Sequence, residues 1–309
     1  METETRNRPF LNVPVEHDTA KVTTPFAYVG IPFGVPYTVE DLSSAAGAPD
    51  AVRDGSWESA WALNWGHMNF DTGHAIFPDG VPTITDCGDI TVPLSAPEEI
   101  WDEGMRRIAP LVRNGVVPIV VGGLDSIPPI AVGAYEGLGK KFNILHIDAH
   151  LDFREERYGV TRGFSSGIRR IREFDCVNEV VQVGLRAMGS ARMSDVQEAS
   201  AAGNRLVTAQ ELHEMGPQAF LDSLSDELPW ILTIDVDGLD PAIAPGVAVL
   251  EVGGIDFFEM GSIVQGLAAR QAIAGMIFTE FQPALDVRTI TARTIGRLIL
   301  LAMSQAEAE

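Results

Sequence analysis

Short apolar runs recur along the chain, and longer stretches with a helical spacing of apolar residues lie between them. Gly, Pro and Asp bound many of the runs, which is typical of buried parallel strands that alternate with helices. The pattern predicts strands at positions 27–31, 116–121, 142–147, 180–183, 231–234 and 275–279. It predicts helices at positions 97–114, 168–173, 194–202, 218–227, 257–270 and 287–304. The expected fold is a single-domain three-layer α/β/α structure with a mainly parallel central sheet.

The chain shows no repeat, linker or low-complexity tract, so we expect one domain over residues 1–309. With 46% hydrophobic residues, a chain of this length can bury one large core. Positions 1–24 are expected to form an extended N-terminal arm. Positions 55–86 are irregular and rich in aromatic residues, and two interpretations stay open: a packed excursion, or a loop over a pocket or subunit contact.

The formal charge of −21 argues against nucleic acids and anionic membranes as partners, because polyanions are bound by clustered Lys and Arg. No apolar run reaches the roughly 18 residues of a membrane span, and the first residues lack the apolar segment of a signal peptide. Two cysteines cannot form a disulfide framework. We therefore expect a cytoplasmic protein that binds cations more readily than anions.

Acidic residues follow two of the predicted strands. Asp148, His150 and Asp152 come directly after positions 142–147, and Asp235 and Asp237 come directly after positions 231–234. Alternate residues of an extended segment point to one side, and ligands of open α/β sheets bind at the carboxyl ends of strands. Any one of these acids could be a helix cap or turn residue. Together they favour a divalent metal site, because close carboxylates repel one another unless a cation compensates them.

These two segments, Asp148-Ala149-His150-Leu151-Asp152 and Asp235-Val236-Asp237-Gly238-Leu239-Asp240-Pro241-Ala242, resemble the signatures of the ureohydrolases, the arginase and agmatinase family. The resemblance runs through most of the chain. Weaker similarity lies at positions 29–33, 48–53, 86–89, 181–186 and 280–286.

The resemblance implies an arginase-like fold and the hydrolysis of a guanidino C–N bond with release of urea. It implies two divalent ions, Mn or Ni, bridged by Asp148 and Asp235. His150 and Asp237 would complete one ion's ligands, and Asp152 would bind the other. Glu280 would bind the substrate guanidinium, and the assembly would be a trimer or hexamer.

Three features depart from the family pattern. Asp125 replaces the histidine ligand of the family's Gly-Gly-x-His-Ser turn, and this weakens the expected metals as Lewis acids because it adds negative charge. Phe164 replaces the family's active-site histidine and cannot carry a proton, a loss that typically costs about 10²–10⁴-fold in rate. The segment at positions 246–251 is more apolar than the family's, so its pocket would suit a hydrophobic substrate or be unused.

These departures favour a non-catalytic or weakly metal-binding subunit, or one with no metal at all, that assembles with an active paralogous ureohydrolase subunit. Nickel-dependent heteromeric enzymes that act on the biguanide metformin are the family precedent. The first alternative is an active, atypical binuclear amidinohydrolase similar to agmatinase or guanidinobutyrase. The second is a mononuclear amide hydrolase that uses Asp148, His150, Asp235 and Asp237, as in the related histone-deacetylase fold.

Three smaller questions remain open at this stage. A dinucleotide-binding protein is disfavoured because the full G-x-G-x-x-G motif is absent. His67 or His74 could supply the missing imidazole. His146 is expected to be a packed core residue.

Overall fold

The computed structural model describes residues 8–38, 41–189 and 191–304, and within them the chain builds one large parallel sheet. In chain order the strands are β1 (Phe26–Ile31), β2 (Met68–Asn69), β3 (His74–Ala75), β4 (Ile84–Asp89), β5 (Val117–Gly122), β6 (Phe142–Ile147), β7 (Val177–Leu185), β8 (Arg205–Thr208), β9 (Trp230–Asp235) and β10 (Ile273–Thr279). Strands β2 and β3 form a separate short hairpin. The other eight pair in the order β4-β1-β5-β10-β9-β6-β7-β8, and each neighbouring pair is parallel.

Helices cover both faces of this sheet. They are α1 (Asp41–Ser44), α2 (Ala48–Glu58), α3 (Ile100–Arg113), α4 (Pro128–Gly133), α5 (Gly167–Ile171), α6 (Met193–Ala201), α7 (Ala209–Met215), α8 (Pro217–Asp222), α9 (Phe257–Ala269) and α10 (Ile290–Met303). Side chains of each strand alternate between two cores: Tyr28 and Ile119 join α2, α9 and α10, whereas Val29 and Val120 join α3, α4 and α5. The predicted three-layer architecture with a parallel sheet is confirmed.

All six predicted strands are present, but the structure adds β4 and β8 to the sheet. The sequence Ile-Thr-Asp-Cys-Gly-Asp of β4 is half polar, and β8 is a four-residue edge strand, so neither gives a strong apolar signal. Helices α1, α2, α4 and α7 were also not predicted from the pattern. The helix expected at 218–227 ends already at Asp222, and the last helix begins at Ile290 because Arg288 and Thr289 have positive φ angles of 50° and 61°.

The N-terminal residues pack onto the body of the protein. Positions 1–7 of the predicted arm lie outside the described residues, but positions 8–24 include two single 3₁₀ turns, and Phe10 and Leu11 are fully buried. Trp57 donates a hydrogen bond from its indole nitrogen to the carbonyl of Pro9 (3.0 Å), and Trp65 donates one to the carbonyl of Leu11 (2.7 Å). Positions 8–24 are therefore folded onto the body of the protein, and Trp57 and Trp65 of the aromatic segment at 55–86 anchor them.

The connectivity of the sheet leaves a gap where a ligand can bind. Strands β5 and β6 follow one another in the chain, yet β10 and β9 lie between them in the sheet. In open α/β sheets such a crossover opens a crevice at the carboxyl ends of the strands. Among the described residues, no helix is both long and apolar enough to cross a membrane.

Candidate metal centre

Four neighbouring strands each end in an acidic residue. Asp125 follows β5, Asp148 follows β6, Asp235 is the last residue of β9, and Glu280 follows β10. The parallel register aligns these ends, with Thr279 beside Asp235. Because the four strands are adjacent, the sheet brings acids from four distant parts of the chain to one edge.

The two signature segments contact each other through their polar groups. Asp148 accepts a hydrogen bond from the backbone N–H of His150 (2.6 Å), and Asp235 accepts one from the N–H of Asp237 (2.9 Å). Nδ1 of His150 lies 3.1 Å from Oδ2 of Asp237 and 3.4 Å from Oδ1 of Asp148. The predicted convergence of Asp148, His150 and Asp237 is therefore present in the structure, with ligand atoms within 4.8 Å of one another.

Close backbone packing fixes these segments. A Cβ atom on Gly238 would lie 2.6 Å from the backbone nitrogen of Asp148, and one on Gly167 would lie 2.7 Å from the backbone oxygen of Asp125. Both contacts are shorter than side-chain carbons allow, so any larger residue would push the acids apart. The glycines are thus required by the approach of one loop to another.

Asp125, which replaces the family's histidine, turns its side chain toward the cluster. Its Oδ1 accepts a hydrogen bond from the hydroxyl of Thr279 (2.7 Å), and its backbone N–H donates to Oε1 of Glu280 (2.7 Å). Its Oδ2 is buried and has no partner among the described residues. An ionised oxygen in this position is costly unless a cation or proton meets it.

Burial and mutual repulsion disturb the protonation of the acids. Burial raises the pKa of Asp125, Asp152 and Asp235 well above the usual range, and neighbouring carboxylates add to the effect. The same causes raise the pKa of Asp237 to about 6, and burial raises that of Glu280 to about 8. The site therefore contains more carboxyl groups than can all be ionised without an added positive charge.

The neighbouring histidines favour the ionised form of the acids, and so oppose the effect of burial. Burial opposes the charging of His150, but its bonds to Asp148 and Asp237 outweigh burial and raise its pKa to about 11. Burial also opposes the ionisation of Asp148, but the contacts with His146 and His150 lower its pKa. One imidazolium cannot balance the whole group, so the site fits an added divalent cation. Oxygen donors with one imidazole suit ions such as Mn²⁺ or Ni²⁺.

His146 is buried as expected, but it does more than fill the core. Gln182 donates from Nε2 to the carbonyl of Leu151 (2.8 Å), and its Oε1 accepts from Asn204 (2.9 Å), which fixes the amide orientation. The same Nε2 lies 3.2 Å from Nδ1 of His146, which must therefore accept. This places the proton of His146 on Nε2, 3.2 Å from Oδ2 of Asp148, although neither of these two atoms makes a hydrogen bond within the described residues. Asp125, His146 and Asp148 form a second group whose ligand atoms could hold a metal.

Arg186 holds the loop that follows β9. Its guanidinium donates to the backbone carbonyl oxygens of Asp237 (2.6 Å) and Glu251 (2.7 Å), among others. Because Asp237 belongs to the acid cluster, this arginine positions one wall of the site. The sequence analysis assigned no role to Arg186 or Gln182, since the partners named above lie 22 to 65 positions away in the chain.

The acids line a cleft of about 210 Å³. Acidic and imidazole side chains in its lining are Asp125, His150, Asp152, Asp235, Asp237 and Glu280. Phe164 lies in the wall, as the alignment predicted, and its ring packs 4.4 Å from that of Tyr37. Ala248 and Val249 add apolar surface. The cleft is smaller than the roughly 300–1,000 Å³ of drug-sized sites, so it suits a small ligand.

His67 and His74 do not contribute to this cleft. His67 borders a separate groove beside Met68 and Phe70, and His74 lies in the β2–β3 hairpin. The hypothesis that either histidine supplies the missing imidazole is therefore wrong. The carboxylate of Asp125 lies in the cleft instead, in a group of side chains that could hold a metal.

Comparison with known proteins decides the family. The sequence profile of the arginase family matches residues 24–304. The chain belongs to the arginase family. It is 28% identical over 303 residues to a guanidinobutyrase of Pseudomonas aeruginosa, covering 96% of this chain and 89% of the relative. It is 30% identical over 298 residues to mitochondrial arginase 1 of Arabidopsis thaliana, covering 91% and 80%.

The fold agrees with that assignment. The structure of proclavaminate amidino hydrolase from Streptomyces clavuligerus superposes with a TM-score of 0.83, at 23% identity and with 98% of each chain covered. Together with the sequence profile, this confirms the resemblance to the ureohydrolases and the arginase-like fold. The chain is an arginase-family amidinohydrolase by descent, with a cluster of Asp and His that can bind metal.

Proposed function

We propose that this chain is itself a metal-dependent amidinohydrolase that cleaves a C–N bond of a guanidino or amidino group in a small substrate. The observation that carries the proposal is the orientation of Asp125. Its carboxylate faces the other acids, with Oδ2 buried and unpaired among the described residues. The substitution of histidine by aspartate thus leaves a ligand in place.

The residues fit up to two divalent ions, Mn²⁺ or Ni²⁺. Asp148 and Asp235 would lie between the ions, His150 and Asp237 would complete one, and Asp125 and Asp152 would serve the other. Such ions supply Lewis acidity, which produces a nucleophile from water near neutral pH. The described side chains bind the ions, orient the substrate and set the charge of the site.

Glu280 is prepared to orient the substrate. Its backbone N–H donates to the carbonyl of Gly123 (2.7 Å), and its Oε1 accepts from the N–H of Asp125 (2.7 Å). Glu280 is therefore held at its backbone and at one carboxylate oxygen, with Oε2 left for a substrate N–H. A guanidinium or amidinium would donate charge-assisted hydrogen bonds to it.

Phe164 limits the expected rate. A phenyl ring in the wall of the cleft cannot transfer a proton to the leaving amine, so the proton would have to come from water. Loss of a general acid or base costs about 10²–10⁴-fold. We therefore propose slow turnover, with a substrate of the kind that the name of the guanidinobutyrase relative indicates.

Phe164 also favours a second candidate, a non-catalytic subunit that assembles with an active paralogue. The heteromeric complex, the trimer or hexamer and a biguanide such as metformin belong to this candidate. A site with one ion would instead indicate the mononuclear amide hydrolase.

Metal content and activity of the purified chain distinguish these candidates. The protein would be loaded with Mn²⁺ or Ni²⁺, its ions counted by mass spectrometry, and urea release measured with guanidino compounds. About two ions per chain with urea release supports the proposal. No ions in the lone chain, with ions and activity only after co-expression with a paralogue, supports the partner subunit.

The variant Phe164→His tests the interpretation of the slow step. We expect it to raise urea release by at least about tenfold, because it restores a proton carrier. Phe70→His is the matched control, since Phe70 is 92% exposed and borders a different groove. Equal rates for both variants would contradict the role given to position 164.

A further inference from the structure

Two arginines line the same cleft as the acids. Arg154 and Arg157 are half-exposed, so they lie toward its open side, whereas the acids of the strand ends are mostly buried. The backbone N–H of Arg154 donates to the carbonyl of Ser165 (3.0 Å), next to Phe164. The cleft therefore has an acidic inner end and a basic outer part.

Neither guanidinium hydrogen-bonds or ion-pairs with any side chain in the described parts of the chain. The acids between them in sequence have other partners: Glu155 pairs with Arg169 at 3.1 Å, and Glu156 accepts from the backbone N–H of Gly159. An arginine carries five N–H donors, which stay available here. Among the described residues, the guanidinium groups of Arg154 and Arg157 are thus free of hydrogen bonds and ion pairs, although the charge of Arg154 also acts on Asp195 at longer range.

Arg157 is held in place by aromatic rings. Its guanidinium carbon lies 5.2 Å from the ring centre of Tyr37 and 5.1 Å from that of Tyr158, and the two rings are nearly perpendicular. A turn in which Arg157 and Val160 exchange backbone hydrogen bonds fixes the main chain. A side chain ordered in advance loses less entropy when it binds a ligand.

We infer that the cleft selects an amidino or guanidino compound with an anionic group at its other end, and that Arg154 and Arg157 bind this group. This inference rests on the proposed function, because the amidine end would lie at Glu280 and the metal site. Ala248 and Val249 would contact a short apolar linker between the two ends. A carboxylate and a phosphonate both match the fork of donors of a guanidinium. A substrate with a cationic far end would meet two like charges.

Four probes of similar length test the inference: 4-guanidinobutanoate (a carboxylate), its phosphonate counterpart, neutral butylguanidine and cationic agmatine. Dissociation constants would be measured by calorimetry on the Mn²⁺-loaded protein, beside urea release. We expect 4-guanidinobutanoate to bind at least about tenfold more tightly than butylguanidine, and agmatine to bind most weakly. The phosphonate shows whether a carboxylate is preferred over a larger anion.

The variant Arg154→Gln/Arg157→Gln should remove that preference. We expect it to weaken 4-guanidinobutanoate about 10–100-fold and to leave butylguanidine within about twofold. Arg162→Gln is the matched control, because Arg162 lies in the same segment but is exposed and stacks 4.4 Å over Trp101 outside the cleft. It should bind every probe as the unmodified chain does.

The two proposals fail in different ways. Urea released equally from all four probes would overturn the anion subsite and leave the hydrolase intact. Tight binding of the anionic probes without urea release from any of them would support the subsite and contradict the hydrolase. Equal losses in Arg162→Gln and in the double variant would also overturn the subsite, since the effect would then be one of net charge.

Discussion

Asp86 and Asp89 of β4 face a cation from their own chain. Nε of Arg53 lies 2.9 Å from Oδ2 of Asp86, and its Nη1 lies 2.8 Å from Oδ1 of Asp89. The guanidinium also stacks 4.8 Å over the ring of Tyr28 and pairs with Asp50 at 2.9 Å. Here Arg53 of α2 supplies the cation, so the acids of β4 are paired within the fold.

The acid cluster farther along the same edge of the sheet has no such cation. Its carboxylates share one partly exposed imidazole, that of His150, and they come from Asp125, Asp148, Asp152, Asp235 and Asp237. Oδ2 of Asp125 and Oδ2 of Asp148 are buried without a hydrogen-bond partner in the described chain. This difference separates structural acids from acids that can bind a ligand. The acids of β4 have a cation from the fold, whereas the acids of the cluster need an added cation to be stable when ionised.

The largest effect is expected from removing a central ligand. Asp235→Asn should lower urea release at least about 10³-fold, because metal ions contribute several kcal/mol to transition-state stabilisation. Metal content per chain should fall in parallel. Asp89→Asn is the control, since it removes a similar carboxylate from the acids that pair with Arg53. Loss of metal in Asp89→Asn would show that the two acid groups are not independent.

The next effect concerns stability. Arg53→Met would leave Asp86 buried and unpaired, and breaking a buried ion pair costs about 3–5 kcal/mol. Denaturation in urea should show a lower free energy of unfolding, while the metal content of the folded protein stays the same. Arg106→Met is the matched control, because Arg106 pairs with Glu103 at the exposed surface and its loss should leave the unfolding midpoint unchanged. Equal midpoints for the two variants would contradict the structural role of Arg53.

The acid cluster could be predicted from the sequence because its signal is local. Asp148, His150, Asp235 and Asp237 alternate at the ends of strands that are mostly apolar and buried throughout, and this pattern indicates both their position and their direction. Asp125 could be placed by resemblance, but its orientation depends on Thr279, which lies 154 positions away. The pattern of residues along the chain does not report a contact between positions so far apart.

Neither the pairing of Arg53 with the acids of β4 nor the basic outer part of the cleft was predicted from the sequence. The physical reason is the same in both cases. Arg53 of α2, which packs against β1 and β5, reaches Asp86 in the adjacent strand β4, and β4 is too polar to be recognised from its pattern. Arg154 and Arg157 look like solvated charges in the sequence, because nothing there shows that their loop turns toward the acids. Contacts between segments far apart in the chain decide both cases, and periodicity does not report them.

The smallest expected effect is a reversal in the pH dependence of stability. In the metal-free protein, burial raises the pKa of Asp237 to about 6 and that of Glu280 to about 8. Between about pH 4 and 8 the folded chain therefore binds protons that the unfolded chain has released, so its stability falls as pH rises. Between pH 6 and 8 in chelator, these two groups should lower the free energy of unfolding by about 2–3 kcal/mol, and the Tm should drop by roughly 3–5 °C.

Excess Mn²⁺ should reverse that trend, because the ion displaces the protons and binds more tightly as they leave. One surface pair could imitate the metal-free trend: the hydrogen bond to Glu259 raises the pKa of His213, and the stability this gives is also lost as pH rises. If the fall in stability with rising pH arises in the acid cluster, the variant His213→Gln must therefore show the same fall in chelator. A slope that vanishes in this variant, or one that is the same with and without Mn²⁺, would mean that the cluster needs no cation and would remove its contrast with the Arg53 group.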